Sequence, residues 1–304
     1  MLAVLCPGQG AQTPGMLTPW LEIESVAQTL HALSDATEVD LIAHGTTSDA
    51  DTIRDTAIAQ PLLVATAIAT GREALAGAAP GLVAGHSVGE FGAAALSGVL
   101  SDADAMSLVT VRGRAMADAA AAAEPTSMAA VLGGDAEEVA SLLAQLGLTP
   151  ANANGGGQVV AAGAKSAIEA LVAAPPARAR VIELQVAGAF HTSYMEPAVQ
   201  ALAAAAQDVV RHQPSATLLS NADGAPVASG DDALSRLVTQ VANPVRWDLC
   251  MERMLELGVT GILEVAPGGV LTGLAKRGMK GVSAVALKTP DDLPAARELL
   301  EAHA

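Results

Sequence analysis

Apolar residues run without a break from Leu2 to Cys6 and stop at Pro7, the pattern of a short strand buried on both faces. A second such run, Gly81-Leu82-Val83-Ala84-Gly85, is followed by Phe91-Gly92-Ala93-Ala94-Ala95-Leu96, the apolar opening of a helix. Helical stretches are predicted around residues 17–34, 61–76 and 102–123, and in the last of these Met106, Val109, Gly113 and Met116 share a face. Near Glu124-Pro125-Thr126 the register changes. The pattern then reads strand (128–132), helix (136–146), two short strands about a Gly155-Gly156-Gly157 turn, helix (166–174) and strand (180–186). That βαββαβ order is the ferredoxin-like arrangement. Strands at 217–220 and 261–265, with helices around them, resume the earlier alternation. The expectation is an α/β large domain with a parallel central sheet, residues 1–124 and 190–304, interrupted by a small ferredoxin-like domain, residues 125–189.

Between the second strand and its helix stands Gly85-His86-Ser87-Val88-Gly89, which fits the G-x-S-x-G nucleophile elbow of α/β-hydrolase-like folds. There the chain turns sharply, the serine hydroxyl is presented, and larger side chains at the glycines would clash. Ser87 is thus a candidate nucleophile, the alternative being a glycine-bracketed turn whose serine caps the helix. A serine nucleophile needs a base. Of the six histidines, His86 is a poor one, because successive residues at an elbow diverge; packing or hydrogen bonding behind the turn suits it better. His31 and His44 lie in ordinary amphipathic surroundings, and His303 is in the tail. His191, at the end of Gly188-Ala189-Phe190-His191-Thr192, follows an apolar strand and comes after the serine in chain order, as in α/β-hydrolases. A purely structural histidine is the competing reading.

No acid stands out as a partner for His191, but a carbonyl can also hold an imidazole in one tautomer. Gln240 and Asn243 offer such groups, unless both serve the turn before Pro244. The loop Gly8-Gln9-Gly10-Ala11-Gln12 follows the first strand, where open α/β sheets put ligand loops. An oxyanion hole needs two backbone donors, one usually just after the nucleophile, and Val88 with Gln9 is the natural pair. Neither G-x-G-x-x-G nor a Lys-Ser/Thr ending is present, so this is no phosphate loop. Arg112 sits among small and apolar neighbours; facing inward it would need an anion, and its planar fork suits a carboxylate. A surface ion pair is the alternative, for which Arg114 is the better candidate.

Composition narrows the class. The 304 residues exceed the ~250–300 at which one core stops growing, consistent with a large domain plus an insert. Hydrophobic residues make up 51% but aromatics only 2%, so the core is built from Ala, Val, Leu and Ile. A formal charge of −16 argues against nucleic acid or an anionic membrane as partner. The stretch between Asp55 and Arg72 falls short of the ~20 apolar residues of a spanning helix. Cys6 and Cys250 match no metal or redox spacing, and the amino terminus lacks the basic flank of a signal peptide, so a cytoplasmic protein with reduced thiols is expected.

Six segments occur together and in order: Pro7-Gly8-Gln9-Gly10-Ala11-Gln12, Gly85-His86-Ser87-Val88-Gly89-Glu90, Val111-Arg112-Gly113, Asn152-Ala153-Asn154, Ala189-Phe190-His191 and Asn243-Pro244-Val245. In these the chain resembles the malonyl-CoA:acyl carrier protein transacylases of type II fatty acid synthesis, and is similar to polyketide synthase acyltransferase domains. The resemblance implies that Ser87 is acylated by malonate with His191 as base. It further implies Gln9 and Val88 as oxyanion donors, Arg112 gripping the malonyl carboxylate, and a carbonyl at or near Gln240 orienting the histidine. Asn152 and Asn154 fall on the family's N-x-N motif, facing the cleft. Phe190 matches the pattern linked to malonyl over methylmalonyl units, although a glycine and alanine precede it where many relatives have a serine before the histidine. Met116 and His86 are expected to support the site.

The partners implied are malonyl-CoA and an acyl carrier protein, with neither metal nor other cofactor, and the chain is expected to act as a monomer. Carrier proteins are typically acidic, so a local basic surface is expected; Lys276, Arg277 and Lys280 form the densest cluster, with Lys165, Arg178 and Arg180 in the small domain. A transferase serving a polyketide synthase or malonate decarboxylase uses the same residues. A serine esterase would want an acid and has no use for Arg112, and a non-catalytic carrier-binding module would not need the full set.

Overall fold

The two apolar runs lie side by side in a computed structural model that describes residues 1–303. β1 (Leu2–Cys6) and β2 (Leu82–Gly85) pair in parallel, with Cys6 opposite Gly85. Between them come α1 (Glu24–Asp35), α2 (Leu41–Thr46) and α3 (Thr56–Leu75). α3 begins five residues ahead of the predicted start at 61, because the Asp55 carboxylate accepts the Ala57 N–H at 2.8 Å and so opens the helix earlier. The helix predicted at 17–34 starts only at Glu24, after a 3₁₀ turn at Trp20–Glu22; Leu17 and Trp20 are buried from turns instead. α3 is buried nearly all round, with Pro61 inside it. Among the described residues no helix is long and apolar enough to cross a membrane.

After the elbow come α4 (Gly89–Leu96) and α5 (Asp102–Ala122), then β3 (Thr126–Gly133), α6 (Ala136–Gln145), β4 (Thr149–Gly155), β5 (Gln158–Ala164), α7 (Lys165–Ala173) and β6 (Ala179–Glu183). The chain continues through α8 (Glu196–Ala205), β7 (Thr217–Leu218), α9 (Gly230–Thr239), β8 (Val245–Arg246), α10 (Trp247–Glu256), β9 (Gly261–Glu264), α11 (Val270–Gly278), β10 (Ser283–Ala286) and α12 (Leu293–His303).

The first sheet has the order β10-β9-β1-β2-β7 and is parallel throughout. β1 and β2 look uniformly apolar because both of their faces are covered. Val4 and Val83 point to a core shared with α3, α4 and α5, whereas Ala3, Leu5, Leu82 and Ala84 point to another under α10 and α11.

The second sheet has the order β6-β3-β5-β4, with antiparallel pairing among these four strands. α6 and α7 cover one face through Val139, Leu143, Ile168 and Leu171, packed on Ala129 and Val131. Two strands escape the sequence pattern. β10 is a short edge strand of small residues, and β8, only two residues long, joins the second sheet parallel to β4 with Val245 opposite Asn152. β8 thereby ties the far half of the chain to the second sheet beside the cleft between the sheets.

Candidate active site

Ser87 sits between the last residue of β2 and the first of α4 at φ 53°, a left-handed conformation that L side chains rarely adopt. The glycines permit the turn. A Cβ on Gly85 would stand 2.0 Å from the Gly89 carbonyl carbon, and one on Gly89 would stand 2.2 Å from the Cys6 carbonyl oxygen.

His191 Nε2 lies 2.7 Å from Ser87 Oγ, and His191 Nδ1 lies 3.1 Å from the Gln240 backbone oxygen. A carbonyl can only accept, so Nδ1 carries the proton and Nε2 is free to take the serine's. His191 too has a positive φ, 61°. Burial, reinforced by the nearby charge of Arg112, pushes its pKa down to about 3, against the opposing pull of the Gln240 carbonyl. The resting imidazole is therefore neutral.

Arg112 is 1% exposed. Its Nη1 donates to Gln60 Oε1 at 2.7 Å and its Nη2 to Ser87 Oγ at 3.3 Å, while Nε has no partner. Burial lowers its pKa to about 10, partly offset by Glu90, so it stays charged at neutral pH. Gly113 follows because a Cβ there would come within 2.9 Å of the Thr56 carbonyl oxygen; without one, α5 closes on the start of α3. Gln60 also donates through Nε2 to Met116 Sδ at 3.4 Å. Arg114 faces outward and pairs with Glu38 at 2.7 Å.

Ser87, His191 and Gln60 line a cleft of about 540 Å³, with Arg112 buried behind Ser87 and Gln60. Among the described residues no aspartate or glutamate lines it, although the chain holds 32 acids, and its lining cations are Arg54 and Arg277. Gln9, Met116, Asn152, Asn154 and Phe190 all line it. The Gln9 and Val88 backbone N–H groups meet no protein acceptor among the described residues. His86 lines the cleft as well as packing behind the turn: its Nε2–H donates to Asn154 Oδ1 at 2.9 Å, and its ring packs on Trp247 at 5.6 Å between centroids. Asn243 does not reach the imidazole. It is exposed and donates to the Thr239 carbonyl at 2.7 Å, so it serves the turn before Pro244. The expected carbonyl comes from Gln240 alone, and from its backbone; the side chain donates to the Pro244 carbonyl at 2.9 Å.

Residues 4–292 match the acyl transferase domain family. The chain is 51% identical over 298 residues to the malonyl CoA-acyl carrier protein transacylase of Mycobacterium tuberculosis, covering 96% of this chain and 98% of that one. The chain belongs to the malonyl CoA-acyl carrier protein transacylase family. The crystal structure of the enzyme named MCAT from Mycobacterium tuberculosis superposes with a TM-score of 0.94 at 51% identity, over 98% of this chain and 99% of that one. A malonyl-transacylase solved in complex with a type II polyketide acyl-carrier protein superposes with a TM-score of 0.90 at 34% identity, over 98% of this chain and 99% of that one.

In this transacylase-family chain two residues that the sequence reading passed over reach the site. Gln60 binds Arg112 from inside α3, where the one polar side chain between Thr56 and Thr66 was the available signal. Asn221, just after β7, hydrogen-bonds the elbow itself, and no local pattern marks it. Cys6 and Cys250 are free and buried, and burial pushes both thiols well up. Among the described residues no group of three or more His, Cys, Asp or Glu side chains is placed to hold a metal ion.

Proposed function

We propose that this chain transfers the malonyl group of malonyl-CoA to the phosphopantetheine thiol of an acyl carrier protein, through a malonyl ester on Ser87, for fatty acid synthesis. The observation that carries this reading is the 2.7 Å contact of Ser87 and His191 beside a buried, charged Arg112 whose Nε is unpartnered. As Ser87 Oγ attacks the thioester carbonyl, its proton passes to His191 Nε2. The Gln240 carbonyl, bonded to Nδ1–H, supports the imidazolium that forms. The carbonyl oxygen takes the negative charge between the Gln9 and Val88 N–H groups. Collapse breaks the carbon–sulfur bond, and the CoA sulfur leaves with the proton held on Nε2. A carrier thiol then repeats the sequence in reverse on the malonyl ester.

Arg112 supplies selectivity. A malonyl carboxylate can take Nε and Nη2, whereas a neutral acetyl group leaves a buried guanidinium short of partners, a penalty of about 1–3 kcal/mol. Phe190 and Met116 on the cleft wall support exclusion of a methyl branch. Asn152 and Asn154 line the same cleft, and Asn154 also holds His86.

We read residues 125–189 as a ferredoxin-like insert in an α/β-hydrolase-like domain formed by 1–124 and 190–304, supported by the strand order β6-β3-β5-β4. Two free, buried cysteines support a cytoplasmic protein. A polyketide carrier is the second reading, favoured by the structural neighbour captured with one.

The test is intact-mass measurement after incubation with malonyl-CoA. A gain of one malonyl group that Ser87→Ala abolishes is expected; a wild-type chain that gains no mass under trapping conditions would sink the proposal.

A further inference from the structure

Asn221 is 0% exposed and uses every polar group it has on the elbow and its surroundings. Its side-chain Oδ1 accepts the Ser87 N–H at 2.7 Å, and its Nδ2 donates to the Gly85 carbonyl at 2.8 Å. Its own N–H donates to Glu90 Oε1 at 2.8 Å, and its carbonyl accepts the Arg246 N–H at 2.8 Å. Nδ2 also lies 3.7 Å from Cys250 Sγ. The side chain thus joins the end of β2 to the nucleophile, while the backbone is tied through Glu90 to the first turn of α4 and through Arg246 to β8.

We propose that Asn221 is a positioning residue that holds the nucleophile elbow in its reactive shape. This rests on Ser87 being the acylated residue. At φ 53° the Ser87 backbone is in a region that a serine leaves unless its surroundings hold it. The amide supplies the holding force on both sides, because one planar group carries an acceptor for the Ser87 N–H and a donor for the Gly85 carbonyl. With the Ser87 N–H committed to Asn221, the Val88 N–H remains without a protein acceptor and Ser87 Oγ stays on His191 Nε2. Alanine removes both bonds. Aspartate keeps the acceptor, but when ionised it turns a lone pair toward the Gly85 carbonyl, and only its protonated form restores the donor. Burial pushes the adjoining Glu90 carboxyl up to about 8, against the pull of Asn221, Arg112 and Arg236, and a carboxyl at 221 meets the same burial.

The experiment is single-turnover malonylation followed by rapid quench and intact mass, in which the rate constant reports elbow geometry and the amplitude reports the folded fraction. For Asn221→Ala the rate constant should fall about a hundredfold, the scale of a small misplacement of reacting groups, with malonyl-CoA affinity unchanged. For Asn221→Asp the rate constant divided by that of the wild type at the same pH, a ratio that cancels the titration of Glu90 near 8 common to both, should be low at pH 8.5 and recover severalfold or more at pH 6. A fall in amplitude alone, or an alanine rate constant close to the wild type, overturns the proposal and leaves Asn221 as a fold-stabilising residue. Should the alanine variant not fold, a flat pH response in the aspartate variant overturns it. A wild-type chain that gains no malonyl group refutes the Ser87 assignment instead.

Discussion

The Arg112 guanidinium donates to Ser87 Oγ at 3.3 Å, from a site where it stays charged despite burial and its Nε is unpartnered. The serine oxygen is thus shared between a cation and the His191 imidazole before any substrate arrives. A malonyl carboxylate competes for that cation and frees the hydroxyl. Arg112→Ala should therefore lose malonyl transfer by 100-fold or more, about the ~2.7 kcal/mol of a hydrogen bond to a charged group, while acetyl transfer is retained or rises. Paired measurements of kcat/KM with malonyl-CoA and acetyl-CoA check this, and equal loss of both would make Arg112 structural.

The same proximity governs pH dependence. Burial and the positive charge of Arg112 both disfavour the imidazolium, which holds His191 near 3 rather than at its ordinary 6.5. A lowered value means that the base stays neutral as pH falls through 6.5, so wild-type acylation should be flat from pH 7, below the range in which Glu90 titrates, to about pH 5. Arg112→Gln removes the second cause. The His191 pKa then rises, and the acid limb of kcat/KM for acetyl-CoA moves to higher pH. A limb that does not move means that Arg112 has no electrostatic hold on the base. Stability follows the same sign: the unfolded chain binds a proton here that the folded chain refuses, so this histidine costs stability as pH drops from 6.5 toward 3.

Much of this was legible because local pattern and tertiary role coincide. The run from Leu2 to Cys6 is apolar because both faces of β1 are covered, and the elbow glycines are required by contacts within a few residues or with the adjoining strand. Pairing decided elsewhere was not legible. β8 is a strand only because β4 offers an edge to Val245, and Asn221 matters only because β7 ends beside β2. Asn243 shows the converse. A turn next to a proline has its own use for an asparagine, and that use prevails over the site.

The packing behind the elbow makes a stability prediction. A methyl group at Gly89 would lie 2.2 Å from the Cys6 carbonyl oxygen and 2.8 Å from that of Pro7, both backbone atoms of the neighbouring strand and its loop. Neither can move without shifting β1. Gly89→Ala should therefore destabilise the fold by about 3 kcal/mol, at the upper end for single substitutions, or prevent folding. Denaturant unfolding monitored by circular dichroism measures it. A loss below ~1 kcal/mol would show that the elbow has more room than these distances allow.

Carrier recognition divides the basic residues on and just after α11. Arg277 lines the cleft and donates to Gln158 at 2.9 Å, so it can meet either thioester substrate, whereas Lys276 and Lys280 are exposed and line no part of it. The chain as a whole carries −16, so attraction of an acidic carrier has to be local. The double change Lys276→Glu, Lys280→Glu should raise KM for carrier protein by about tenfold and leave KM for malonyl-CoA unchanged, because charges at the rim of an interface act mainly on association. The difference should shrink at high salt, where the Debye length falls to about 3 Å near 1 M. Arg277→Glu, by contrast, should raise both constants. If the lysine pair moves neither, the carrier docks elsewhere, and Lys165, Arg178 and Arg180, all exposed on the second sheet's unit, are the next residues to reverse.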